Sequence, residues 1–176
     1  MPLHRRISLL FWSVLPALIT VFLLAFYLVP KRISGLDSFM PLLPMIPIFF
    51  WAVHYPKAIP YWFVFAMGII QDAVTGQPLG LSSLLNIAFL VMIQAQYKYI
   101  HKEGFMIQWI YFCMLLLAIT VIHFLLIAIF YMDLHGIKPA LIQWFLTLCC
   151  YPLFHRGFES LQQRISKQQW LAMHGR

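Results

Sequence analysis

Five carboxylates are all that this chain of 176 residues offers for acid–base or metal chemistry: Asp37, Asp72, Glu103, Asp133 and Glu159. Metal-assisted chemistry on phosphates draws several carboxylates to one cation, and acid–base work needs its groups within reach of one substrate. No two of the five share a helix at a spacing of three or four residues, the spacing that would place them side by side. There is no Walker glycine loop, no HExxH pair and no nucleophile with a recognisable base. This reading expects no enzyme, no cofactor and no metal.

Asp72 stands apart. It is the only carboxylate inside the central apolar run, within the stretch GIIQDAVTGQPLG that spans Gly68 to Gly80. Gly68, Asp72 and Gly76 fall four apart and so share one helix face. Gly76 followed by Pro78 reads as a helix stop, which leaves Asp72 in the final turn, where the helix dipole disfavours negative charge. Something outside the helix has to compensate it. Three readings stand open: a structural residue accepting hydrogen bonds from the loop amides, a partner on another helix with His123 the best donor, or proton or ion transport. Transport would need a chain of such groups, and only these two are visible. His123 taken alone reads as a packing or hydrogen-bonding residue. Gly68, Gly76 and Gly80 read as close-packing and turn residues.

The elements that must position these residues are apolar helices. Hydrophobic residues make up 62% of the chain and charged ones 10%, with a mean hydropathy of +0.83. A soluble domain carries about 25% charged residues, so the composition describes an integral membrane protein. The net charge of +7 comes from bases at the ends and in short loops, which fits membrane orientation and gives no support to nucleic-acid binding. Cys113, Cys149 and Cys150 all lie in apolar runs and read as packing residues.

Six segments emerge. The first, Ile7 to Val29, is too long for a signal h-region and has no small-residue cleavage site, so it is read as a helix that remains attached. The second, Phe39 to Val53, carries Pro41, Pro44 and Pro47, which a regular helix cannot absorb. A helix starting no earlier than about Pro44, after an irregular lead-in, is expected. Trp51 with His54, Tyr55 and Pro56 suggests an aromatic belt at an interface. The third segment, Pro60 to Thr75, ends in the aspartate motif. The fourth, Leu81 to Tyr97, opens with Ser82, Ser83 and Asn86, polar residues of the kind that join helices in lipid. The fifth, Phe105 to Met132, carries His123, and the sixth runs from Ile137 to Phe154.

Segments two and three sit near or below the length that crosses a bilayer, about 20 residues. The second is therefore expected to be partly re-entrant, or to form a tight hairpin with the third. With the N-terminus in the cytoplasm, the inner side collects Arg5, Arg6, Lys57, Lys98, Lys102, Arg156, Arg164, Lys167 and Arg176. The outer side collects only Lys31, Arg32 and Lys138. The excess of basic residues favours both termini inside and puts the loop around Gly76 outside. Residues 1–155 form one all-α, six-helix transmembrane domain, and 156–176 a basic tail. If helical, that tail sets Phe158, Leu161, Ile165 and Ala172 on one side and Arg156, Arg164 and Lys167 on another. That pattern suits a helix lying on an anionic inner leaflet, and a solvated tail is the alternative.

With these residues laid out, the chain resembles the MreD family of bacterial rod shape-determining membrane proteins. The run GIIQDAVTGQPLG is similar to that family's Gly-x-x-x-Asp-x-x-x-Gly-x-x-x-Gly signature, and FFWAVHYP to its tryptophan-bearing segment that ends at a proline. The overall plan agrees as well, although Pro41, Pro44 and Pro47 depart from the family's smoother second helix. The resemblance implies a non-enzymatic subunit of the cell-elongation machinery in the bacterial inner membrane, one that supports peptidoglycan synthesis. Its implied partner is an MreC-like membrane-anchored scaffold. Through that scaffold it would act with an MreB-like filament, a RodA-like glycosyltransferase and a class B penicillin-binding protein. A fold similar to the six-helix substrate-binding subunits of energy-coupling-factor transporters is also implied. A small-molecule-binding subunit of a vitamin-type transporter is therefore the alternative function. Such a subunit needs a pocket with several convergent polar groups, and Asn86 and His123 are the few on offer.

Overall fold

The computed structural model describes residues 3–28, 41–56, 59–131 and 137–174. Among them lie six α-helices and no strand: α1 Leu3–Leu28, α2 Met45–His54, α3 Tyr61–Thr75, α4 Leu81–Ile100, α5 Phe105–Tyr131 and α6 Ile137–His174. The expected loops around Lys31, Arg32 and Asp37 and around Asp133, and the turn residue Lys57, lie outside the described residues. One helix, α5, is long and apolar enough over Phe105–Phe130 to cross a membrane, with a mean hydropathy of 2.8. Met106, Ile110, Met114, Leu117, Val121, Leu125 and Ile129 recur along it every three or four residues, and all are exposed. A soluble surface rarely tolerates an apolar stripe of that length; lipid or another apolar helix would accept it.

At the centre is α2. Its ten residues would rise about 15 Å, half the hydrocarbon thickness of a bilayer. Every residue from Met45 to Val53 is buried. The helix begins as the proline spacing predicts: Pro44 is the N-cap, and Pro47 falls in the first turn, where a missing N–H costs little. The irregular lead-in is half-buried at Pro41 and Leu42 and buried at Leu43 and Pro44, which is tolerable in an apolar setting only if its backbone finds partners. Thr147, fully buried in the middle of α6, supplies one, its Oγ1 accepting from the Leu42 N–H at 2.8 Å. The Thr147 hydroxyl in turn donates to the Gln143 carbonyl at 2.6 Å. The segment thus enters the bundle as irregular chain level with Thr147 and continues as a helix towards His155.

The placement of α2 corrects one expectation. Trp51 is not part of an interfacial belt; it is fully buried and packs edge-on against Phe50, with ring centroids 5.2 Å apart. A helix surrounded on all sides has no interfacial face, so its largest side chain fills the core. Phe49 does the same on the opposite side, meeting Phe112 at 5.0 Å and Tyr151 at 5.8 Å. Among the flanking helices, α3 and α4 form the most extensive pair. The last helix runs unbroken past His155, so the change from apolar to basic composition falls inside α6.

Candidate functional site

Helix α3 ends as its glycine and proline dictate. Gly76 takes a left-handed conformation (φ 70°) and its N–H donates to the Asp72 carbonyl at 2.9 Å. Gly80 is also at positive φ (99°) and forms the N-cap of α4 without any side-chain cap of its own. The cap comes instead from α3. The Asp72 carboxylate, fully buried, accepts from the Gly80 N–H at 2.8 Å and from the Ser82 N–H at 3.1 and 3.2 Å to its two oxygens.

That arrangement answers the charge problem at Asp72. The first N–H groups of α4 have no carbonyl partner within the helix and carry the positive end of its dipole. A carboxylate from the preceding helix satisfies two of them, and they compensate the charge that α3's own C-terminus would repel. Of the three readings open for Asp72, the loop-amide one matches this geometry. The suggested pairing with His123 is not made: His123 Nε2 lies 3.1 Å from Gln77 Oε1, which ties α5 to the same loop.

Gly68 sits one turn deeper at the contact between α3 and α4. A Cβ built there would lie 2.5 Å from the Ser83 backbone nitrogen and would also overlap the Ser83 Cα. The backbones meet only because Gly68 has no side chain. The Ser83 hydroxyl reinforces the contact by donating to the Phe65 carbonyl at 3.0 Å. Pro78 is half-buried in the loop and Pro56 half-buried in the turn after α2. The motif residues between Gly68 and Gly80 are thus brought together, whereas Trp51 and Pro56 belong to the other end of the bundle. The loop and the first turn of α4 also present apolar surface, with Leu79 73% and Leu84 63% exposed.

Behind the loop lies a cavity of about 40 Å³ where α3, α4, α5 and α6 meet the start of α2. Its polar lining is Gln71, Ser82, Asn86, Thr120, His123 and Gln143. Pockets for drug-sized molecules measure roughly 300–1,000 Å³, so this one cannot enclose a vitamin. A larger groove of about 510 Å³ lies open on the surface between α4 and α5, and of its lining residues only Gln96 and Tyr111 are polar. The convergent polar groups and the ligand-sized volume are therefore in different places.

A second cluster escaped the sequence reading. At the far end of the bundle His54, His101 and His155 converge from α2, the α4 C-cap and α6. The His54 ring centroid lies 5.9 Å from that of His101 and 6.3 Å from that of His155. His54 Nδ1 lies 2.9 Å from the Phe50 carbonyl and His101 Nδ1 3.0 Å from the Val53 carbonyl, while His155 Nδ1 is 3.8 Å from Glu159. Burial pushes the His54 pKa down against the pull of the Phe50 carbonyl, with His155 and His101 adding to the depression. Burial lowers that of His155 as well, opposed by Glu159. Among the described residues no three His, Cys, Asp or Glu side chains are placed to hold a metal ion.

A family model described as rod shape-determining protein MreD matches residues 6–156. The chain belongs to the MreD family. That match takes in α2 to α5 whole, nearly all of α1 and the first half of α6, and with them the whole of the Asp72 motif. Among curated proteins the chain is similar to Uncharacterized protein RP566 of Rickettsia prowazekii (strain Madrid E), 23% identical over 144 residues and 82% of each chain. No solved structure matches. Membership of the MreD family identifies the chain as a rod shape-determining protein, and it makes the exposed stripe on α5 consistent with a bacterial membrane protein.

Proposed function

We propose that this MreD-family protein is a non-enzymatic, multi-pass subunit of the cell-elongation complex in the bacterial inner membrane, and that it binds an MreC-like membrane-anchored scaffold through the α3–α4 loop. The observation that carries this reading is the clamp on that loop. Asp72 fixes Gly80 and Ser82, and the loop so held exposes Leu79, next to the exposed Leu84 in the first turn of α4. An apolar surface on a preorganised backbone binds at a lower ordering cost than a mobile one. The distribution of Lys and Arg favours both termini in the cytoplasm and this loop on the outer side, where the extracytoplasmic part of such a scaffold begins. Through the scaffold the subunit supports peptidoglycan synthesis by a RodA-like glycosyltransferase and a class B penicillin-binding protein, in step with an MreB-like filament.

Co-purification tests the reading. Leu79→Asp should reduce capture of the MreC-like scaffold while leaving membrane level and melting temperature unchanged. Leu153→Ser, at an exposed position on α6, should leave capture intact. Equal capture by the Leu79→Asp variant and wild type would remove the loop as the docking surface. Orientation is tested by reporters fused after Arg176: a cytoplasm-active reporter should work and a periplasm-active one stay silent.

A further inference from the structure

The cavity behind the Asp72 loop is lined by side chains that the proposed docking function does not use. Asn86 is 3% exposed and Gln71 9% exposed, and both face it. Among the described residues neither side-chain amide is tied to another side chain, and neither is among the fully enclosed polar atoms, so both remain open to a water-sized molecule in the cavity. Each primary amide carries two donors and an acceptor with two lone pairs, and a poorly hydrated amide is destabilising unless something completes its hydrogen bonds. Two such groups turned into one cavity are the mark of a site completed by something other than protein.

Size and chemistry narrow the occupant. One water needs at least about 10–15 Å³ of such volume, so about 40 Å³ takes roughly three. The Ser82 and Thr120 hydroxyls also line the space, and Thr120 already donates to the Leu116 carbonyl at 2.8 Å, leaving its oxygen free to accept. Among the described residues no carboxylate, lysine or arginine lines the cavity, and its lining there is amides, hydroxyls and the His123 ring.

We propose that this cavity is an internal water-binding site, in which about three waters bridge Asn86 and Gln71 to Ser82 and Thr120. These waters join α3 and α4 to α5 across the outer half of the bundle, where direct side-chain packing gives way to polar contacts. The inner half is packed by aromatic side chains around Phe49 and Trp51.

Water-edited solid-state NMR on the full-length protein in lipid bilayers tests this directly. Magnetisation from water should reach the side-chain amides of Asn86 and Gln71 within the mixing time that serves exposed sites, and well before it reaches the backbone amides of Phe89 and Leu90. Build-up at Asn86 as slow as at Phe89 would overturn the proposal. Asn86→Leu supplies a second readout, since the two side chains are similar in size. Replacing a water-bridged amide should lower the melting temperature by a few degrees. In a dry cavity the same change removes an unpartnered amide and should raise it, an outcome that would also count against bound water.

Discussion

Asp72 lies ten residues before Ser82 in the chain, yet its carboxylate serves as a cap for the helix in whose first turn Ser82 lies, at 3.1 Å from the Ser82 N–H. One side chain therefore serves two helix ends, and its removal should be felt at both. Asp72→Ala leaves the Gly80 and Ser82 amides unsatisfied, at about 1–3 kcal/mol per group. Asp72→Asn keeps one acceptor oxygen but turns an NH2 towards an N–H donor, so its loss should be smaller. Thermal unfolding of the purified protein and its level in the membrane should both rank wild type first, then Asn, then Ala. Two variants indistinguishable from wild type would show that α4 starts without this cap.

Gly68→Ala tests the close approach of α3 and α4. The added methyl would meet Ser83 backbone, which cannot rotate away as a side-chain tip could. Overpacking of this kind costs about 1–3 kcal/mol. Gly104→Ala, where the added carbon meets nothing within 4 Å, is the matched control. Gly68→Ala should melt earlier than wild type and Gly104→Ala should not. An unchanged melting point for Gly68→Ala would mean that the two helices can separate at no cost.

How far the sequence foretold this arrangement depended on whether the signal was local. The proline triplet announced a late start for α2, and Gly76 with Pro78 announced the end of α3, because both act on their own backbone. The compensation of Asp72 needed one further step, from the helix that Gly80 opens to the dipole of that helix. Trp51 misled because tryptophan near a proline resembles an interfacial belt, and nothing local says that a ten-residue helix is enclosed on every side. Thr147 stands 105 residues from Leu42, and the three histidines come from three helices, so no spacing rule could pair them. The apolar-to-basic change after His155 falls inside α6, because composition can change along a helix without ending it.

Thr147→Val should expose how much the buried lead-in to α2 depends on one hydroxyl. Valine matches threonine in shape but cannot accept from the Leu42 N–H, which would be left unsatisfied at about 1–3 kcal/mol. Thr147→Ser keeps the acceptor. The serine variant should stay close to wild type in thermal unfolding and the valine variant fall below it. Equal melting of all three would show that Leu42 finds another partner.

The histidine cluster gives the protein a pH dependence whose sign is fixed. His54 and His155 both have folded pKa values below the ordinary 6.5, chiefly through burial. A base with a depressed pKa binds fewer protons folded than unfolded, so stability rises with pH wherever the two states differ in protons bound. Stability from this source is complete above pH 6.5 and is lost as pH falls through 6.5 towards the lowered values. A second proton in the cluster would add repulsion between rings about 6 Å apart, while Glu159 offsets part of it. The melting temperature of the purified protein should therefore drop between pH 7 and pH 5. The double variant His54→Gln, His155→Gln should show a shallower slope over that window even if its melting point at pH 7.5 is lower. A parallel slope in the two proteins would place the acid sensitivity elsewhere in the chain.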